Sequence, residues 1–335
     1  MDFDVVIIGG GAAGLSGAVA LARARRSVLV LDDGVPRNAP ADAVHNYLGH
    51  DGVAPAALLT AGRTEVARYG GVVRSGRAVE VRGTSGRFTV RTDDGGEVQA
   101  RRLLLATGLV DELPDVAGLA QRWGRDVLHC PYCHGWEVRD QPIAVLATGP
   151  MALHQVQLFR QWSSQVTLAL HTAPDPTPEQ CEELAARGIE VVHGEVAAVE
   201  VVDDVLTGLR LTSGRVVPCR AVVVAPRYTA RVPDGLGLEA VDLEMGGHVV
   251  GSAVPADANG ATAVPGVWVA GNVEDLRAQV VTSAAAGLGA ATMINADLVE
   301  DDVRRAVADR RSAACTAAAE RELCGSAAGE RRRGR

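Results

Sequence analysis

Lysine is absent from this chain: all 33 basic residues are arginine. That excludes a Schiff-base lysine and any phosphate loop that works through a lysine ammonium. Positive charge as a whole is in deficit. With 41 acidic residues the formal net charge is −8, which excludes a broad basic surface for nucleic acid. Long hydrophobic runs are lacking too. No stretch of about 18 or more bulky apolar residues occurs, and the small-residue segment from Ala284 to Ala291 is interrupted by glycines, so no membrane-spanning helix is expected. The N-terminus enters an apolar strand at once, without a basic n-region, and a cytoplasmic location is the expectation. Cysteine is too sparse for a disulfide framework: there are six in 335 residues, and only Cys130 and Cys133 stand at motif spacing. Cys181 is expected in a helix and Cys219 in a strand, both as packing residues. Cys315 and Cys324 fall in an Ala/Glu/Arg-rich tail and are expected to be incidental thiols.

What is present suits two domains of ordinary size, 335 residues with 47% hydrophobic content. The β-branched run Asp4–Ile8 leads to Gly9-Gly10-Gly11-Ala12-Ala13-Gly14. An Ala-rich helical stretch, Leu15–Ala24, follows, then a strand, Ser27–Leu31, ending in Asp32-Asp33. Residues Val72–Arg91 and Gly96–Ala106 alternate like antiparallel strands, with turns at Thr84-Ser85-Gly86 and Asp93–Gly96. A second strand–turn–helix unit starts at Pro142, with a strand Ile143–Leu146 and helices expected over Leu153–Trp162 and Pro178–Arg187. Gly266–Ala270 is a returning strand, and a small-residue helix is expected over about Ala278–Leu298. The fold class is α/β, with two dinucleotide-binding (Rossmann-like) domains, the second inserted in the first.

The first glycine motif has the spacing that its chemistry needs. Gly9 permits a tight turn, Gly11 lets the backbone approach a pyrophosphate, and Gly14 lets helix and strand pack closely. The amides at the helix start then face the phosphates. Asp32, at the end of the next strand, is placed to accept hydrogen bonds from a ribose diol. The motif by itself does not choose between FAD and NAD.

Cys130 and Cys133 flank Pro131-Tyr132. Two intervening residues at a helix start fit a redox-active disulfide, because helix amides lower a thiolate's pKa. Two other readings remain open at this point. A zinc site would need two more ligands, and His129 and His134 are adjacent to the pair but poorly spaced to converge on one tetrahedral ion. Inert buried cysteines are the other. No metal is expected.

Three segments carry a resemblance. Ala106-Thr107-Gly108 after an apolar strand, and Val267-Trp268-Val269-Ala270-Gly271-Asn272 near the end, are similar to the further FAD-contacting motifs of flavoproteins with two dinucleotide-binding domains. Asn272 departs from the usual Gly-Asp ending. The stretch Cys130-Pro131-Tyr132-Cys133-His134-Gly135-Trp136-Glu137 resembles the active site of the thioredoxin reductase family over about residues 1–300. With His134 in place of the usual Asp, it is most similar there to the dithiol oxidases that close the disulfides of gliotoxin and holomycin. The resemblance implies FAD as cofactor, with Gly9, Gly11, Gly14, Asp32, Thr107, Gly108, Gly271 and Asn272 holding it. It also implies Asn46, in the loop His45–Gly49, near the flavin, and Ala278, Gln279 and Val280 at the pyrimidine edge of its ring. It makes Cys130 the thiol that exchanges with substrate, Cys133 the one beside the flavin and His134 the acid–base residue. His129 and Glu137 are secondary candidates.

The second glycine motif, Ala147-x-Gly149-x-x-Ala152, lacks the glycine of the tight turn. The segment His171–Glu179 also lacks the arginines that NADPH-dependent thioredoxin reductases place there. Two lost charge-assisted hydrogen bonds, at about 1.5–3 kcal/mol each, weaken NADPH binding roughly a hundredfold or more. The expectation is an FAD-dependent dithiol oxidase for a small-molecule dithiol, passing electrons to O2 with H2O2 as product. An NADPH-dependent reductase of a thioredoxin-like protein and a flavin-binding redox sensor are the alternatives. A homodimer is implied by the resemblance. The expected division is 1–115 with 246–311 for FAD, 116–245 for the inserted domain and 312–335 as a flexible tail.

Overall fold

The computed structural model describes residues 2–149 and 151–332, with side chains through residue 312. The chain opens with β1 (Asp2–Ile8), α1 (Ala12–Arg23), β2 (Val28–Asp32), α2 (Pro55–Arg68), β3 (Val72–Ser75), β4 (Ala78–Thr84), β5 (Arg87–Thr92) and β6 (Glu97–Leu105). It leaves this unit along β7 (Leu109–Glu112). The second unit holds β8 (Val127–Leu128), α3 (Pro131–His134), β9 (Ile143–Ala147), α4 (Met151–Phe159), β10 (Val166–Leu170), α5 (Pro178–Ala186), β11 (Glu190–His193), β12 (Val196–Val202), β13 (Val205–Leu211), β14 (Val216–Pro218) and β15 (Ala221–Val224). The return runs through β16 (Arg227–Ala230), β17 (Val241–Met245), β18 (His248–Ala253), β19 (Val267–Val269) and α6 (Val280–Arg332).

In the first unit the strand order is β3-β2-β1-β6-β5-β4, with β19 also paired to β6. Strand β1 sits centrally, and its alternate residues feed two separate cores. Val6 and Ile8 enter one, with Leu103, Leu105 and Val269; Val5 and Ile7 enter the other, with Leu15, Leu21 and Leu104 under α1 and α6. This two-sided burial is why the strand reads as an unbroken apolar run. Parallel registers align Ile8 with both Leu31 and Leu105, and Leu105 with Val269. The carboxyl ends of β1, β2, β6 and β19 therefore lie side by side, and the glycine turn, Asp32, Thr107-Gly108 and Gly271-Asn272 follow them at one edge of the sheet.

The second unit repeats the plan with a parallel sheet, β11-β10-β9-β15-β8, and adds the antiparallel β12-β13-β14. The two crossings, β7 and β16, pair antiparallel with Val110 opposite Thr229 and belong to a four-stranded sheet, β17-β18-β16-β7.

Four details differ from the sequence reading. Val72–Ser75 pairs parallel with β2. Alternation reports that one face is wet and says nothing of direction, which here follows from the helical crossover through α2. Residues 231–245, expected in the inserted domain, lie in part against the first unit: Val81 N donates to Asp234 O, and Leu236 joins that unit's core. Cys181 is exposed rather than packed, whereas Cys219 is buried. The helix expected to end near Leu298 instead continues as α6 through Arg332 in its backbone, and the side chains of Cys315 and Cys324 lie outside the described residues.

Candidate active site

The glycine turn is shaped by backbone contact on two sides and by open space on the third. Gly9 has φ +107°, and a Cβ there would stand 2.2 Å from the Ala106 carbonyl oxygen; a Cβ on Gly14 would stand 1.9 Å from the Gly9 oxygen. No side chain fits at either position. A Cβ on Gly11 meets nothing within 4 Å, because this residue faces a cavity. Gly11 is also the N-cap of α1 and makes no side-chain cap bond, so the first amides of a twelve-residue helix are left for an anion. Gly10, which the spacing argument passed over, is equally constrained. Its amide donates to Asp32 Oδ1 at 3.2 Å, and a Cβ would press on that carboxylate at 2.6 Å. The other Asp32 oxygen pairs with Arg63 at 2.9 Å.

One cavity of about 540 Å³ runs from this turn to the cysteine pair. Gly9, Gly11 and Asp32 line its first part. Thr107 and Gly108, then Gly271 and Asn272, line the wall contributed by β6 and β19. Ala278, Gln279 and Val280 line it where α6 begins. Gly14 lies behind this surface and serves packing. Asn46 is also outside the wall: its amide donates to the Tyr132 carbonyl at 2.7 Å. Asn272 donates from Nδ2 to the carbonyls of Asp275 and Ala278, both at 3.0 Å. A carboxylate could not make these bonds, which explains an amide where an acid is usual. A glycine-walled opening against unclaimed helix amides, with a carboxylate at the next strand end, fits an adenine dinucleotide such as FAD.

Cys130 and Cys133 form a disulfide, with Cα atoms 5.3 Å apart, in the wall of that same cavity. Cys130 caps α3, its sulfur accepting the Cys133 amide at 3.2 Å, and Pro131 takes the first helical position, where no amide partner is needed. Among the described residues no group of three or more His, Cys, Asp or Glu could hold a metal ion.

Three imidazoles line the cavity around the disulfide: His134, His129 and His45. Burial lowers the His134 pKa, with Glu137 opposing the shift. His134 is therefore neutral near pH 7 and able to accept a proton. His129 is pushed much further, down to about 3, by burial and by the Arg37 guanidinium. Taking a proton from a thiol of pKa near 8.5 would be uphill by about five units there, so His129 is excluded as the base. Its ring instead stacks on Trp123 at 5.5 Å and meets Tyr228 edge-on at 6.2 Å.

Arg37 was invisible in the sequence. It donates twice to Asp111 of β7, at 2.6 and 2.7 Å, and once to Asn272 at 3.2 Å, and lies over the Tyr228 ring of β16. One side chain thus ties both crossing strands to the Gly271-Asn272 turn. Its sole local signal was a Pro-Arg pair in the loop after an acid-tipped strand.

The family described as pyridine nucleotide-disulphide oxidoreductase matches residues 3–287. The crystal structure of HlmI shares 45% identity at a TM-score of 0.84, covering 94% of this chain and 97% of that one. An oxidoreductase from Agrobacterium tumefaciens shares 33% identity at a TM-score of 0.83, over 89% and 99% of the two chains. Thioredoxin reductase sirT of Leptosphaeria maculans is 36% identical over 201 residues, 56% of this chain and 60% of that protein. Alignment with this and two further curated relatives spans 38–60% of their lengths. The chain therefore belongs to the pyridine nucleotide-disulphide oxidoreductase family, as an enzyme similar to thioredoxin reductases.

Proposed function

We propose that this protein is an FAD-dependent dithiol oxidase that closes a disulfide in a small molecule. The observation that carries the reading is the Cys130–Cys133 disulfide in the wall of the cavity that the dinucleotide motifs line. Gly11 would face the pyrophosphate of FAD, Asp32 a ribose, and Asn272 and residues 278–280 the rest of the cofactor. Bound there, FAD would supply a two-electron acceptor for the reduced cysteine pair, with O2 as the final oxidant and H2O2 as the product.

The chain's own residues carry the sulfur chemistry. A substrate thiol loses its proton to His134, and the thiolate attacks Cys130. The Cys130–Cys133 bond breaks, and Cys133 leaves as a thiolate. The second substrate thiol then attacks the substrate sulfur of the mixed disulfide. Cys130 departs as a thiolate and takes up that thiol's proton. Two substrate thiols become one disulfide, and the enzyme disulfide becomes a dithiol. A neutral His134 suits the first proton transfer.

The entry of electrons from a dithiol, rather than from NADPH, is supported at the end of β10. There the His171 ring accepts the Val196 amide at 3.0 Å, and Asp175 pairs with His193 at 3.3 Å. The stretch His171–Glu179 offers no arginine to a 2′-phosphate. A second reading, an NADPH-dependent thioredoxin reductase, is favoured by the names of the curated relatives and by open space over Gly149. A homodimer would cover Leu288, Val299, Val303 and Val307, which stand exposed along α6. No helix among the described residues is long and apolar enough to cross a membrane.

Anaerobic titration of the flavoprotein with dithiothreitol, NADPH and NADH tests the reading. Dithiothreitol bleaches the flavin, and air restores the colour with one H2O2 per disulfide formed. Bleaching by micromolar NADPH would overturn it in favour of the reductase.

A further inference from the structure

The loop between β2 and α2 belongs to the first unit, yet it closes on the second unit beside the disulfide. His45, in this loop, stands between two carboxylates. Its Nδ1 is 3.2 Å from Asp51 Oδ1 and its Nε2 is 3.3 Å from Glu137 Oε1. Asn46, held at φ +61°, adds the bond to the Tyr132 carbonyl. The segment that carries Cys130, Cys133 and His134 is thus gripped at two points from across the boundary. Glu137 is three residues past His134 and is the charge that most favours a protonated His134; Asp42 acts the same way, and His45 acts against them. His129 is the remaining titratable neighbour, coupled to His134 by charge.

We propose that His45 is a positioning residue of the active site: it reaches across the domain boundary to engage Glu137, and so sets how much of that carboxylate's charge is left to act on His134. The inference rests on the reading of His134 as the proton acceptor. An imidazole between two carboxylates donates to one of them when neutral and to both when it carries a second proton. When it carries that proton it offsets the charge of Glu137 and repels a proton on His134. The contact thereby adds to burial, the larger cause, in opposing protonation of His134. Neither Asp51 nor Asp42 can substitute, since each carries the opposite sign.

The test is an NMR titration of the histidine rings in the FAD-bound protein labelled at histidine, with the His134 resonance identified by its loss in His134→Gln. In His45→Gln the amide can still donate to Glu137 but carries no charge. His134 then titrates at higher pH, by on the order of half a unit to one unit. The acid limb of dithiothreitol-driven flavin bleaching moves with it. Glu137→Gln shifts the titration to lower pH. In the Glu137→Gln background, His45→Gln moves it less, because a ring no longer held at Glu137 repels the His134 proton more weakly. An unchanged His134 titration in His45→Gln overturns the proposal, as does an equal shift with and without Glu137. If the acid limb survives in His134→Gln, the base assignment fails separately, while the ring titration still reports on His45.

Discussion

Replacing Gly11 with alanine separates cofactor binding from folding more cleanly than any other change in the glycine turn. Gly11 has φ −78° and ψ −171°, extended backbone that alanine adopts without strain. Its added Cβ would meet no atom within 4 Å. The flavin-free protein should therefore be as stable as the wild type, or more stable by about 0.4–1 kcal/mol through a less disordered unfolded chain. The same methyl occupies space that FAD's pyrophosphate needs against the α1 amides. Overpacking of this kind costs about 1–3 kcal/mol, which weakens FAD binding by roughly 5- to 150-fold. Gly14→Ala is the contrast. Its Cβ would lie 1.9 Å from the Gly9 carbonyl oxygen, and backbone must move, so it should destabilise the fold itself by more than about 3 kcal/mol. Melting curves of the flavin-free proteins and fluorescence titration with FAD measure both quantities. Wild-type FAD affinity in Gly11→Ala, or a lower melting temperature of its flavin-free form, would refute the placement of the pyrophosphate over this residue.

Three further outcomes are expected. Asn272→Asp removes two donated hydrogen bonds from the Gly271–Ala278 turn and sets a carboxylate against two carbonyls, so denaturant unfolding should show a loss of about 1–3 kcal/mol, tempered by the nearby Arg37. Arg102, only 2% exposed, pairs with Asp297 and holds α6 on the sheet. Because Asp297 is partly solvated, Arg102→Leu should destabilise by about 1–3 kcal/mol rather than by the full penalty of a buried lone charge. His129 contributes acid sensitivity. Its folded-state pKa, about 3, lies below its ordinary value, so protonation favours the unfolded chain and stability is lost as pH falls below about 6.5. Between pH 7 and 5.5 that loss is about 1 kcal/mol, and His129→Phe should be spared it in urea melts at the two pH values; an equal loss in both proteins would show that His129 is not the group responsible.

How much of this was legible in the sequence depended on the distance over which each geometry is specified. The glycine turn, Asp32 and the cysteine pair are set by contacts within one strand–turn–helix unit or one helical turn, and spacing reports these directly. The parallel pairing of β3 and the packing of residues 231–245 on the first unit depend on connections, about which hydrophobic alternation is silent. The contacts that assemble the cavity are longer still. Arg37 meets Asp111 across 74 residues, and Asn46 meets the Tyr132 carbonyl across 86. None of these residues has a neighbour whose spacing marks it. They share one physical feature: each acts at the junction between the two units, which the chain crosses at β7 and β16. Two covalent crossings do not by themselves fix the distance between a disulfide in one unit and a cofactor cradle in the other. Exchange between them requires contact geometry. The Arg37 cluster on one side of the cavity and the His45-Asn46 loop on the other supply that constraint, so the residues that spacing missed are those that hold together the two half-sites that spacing found.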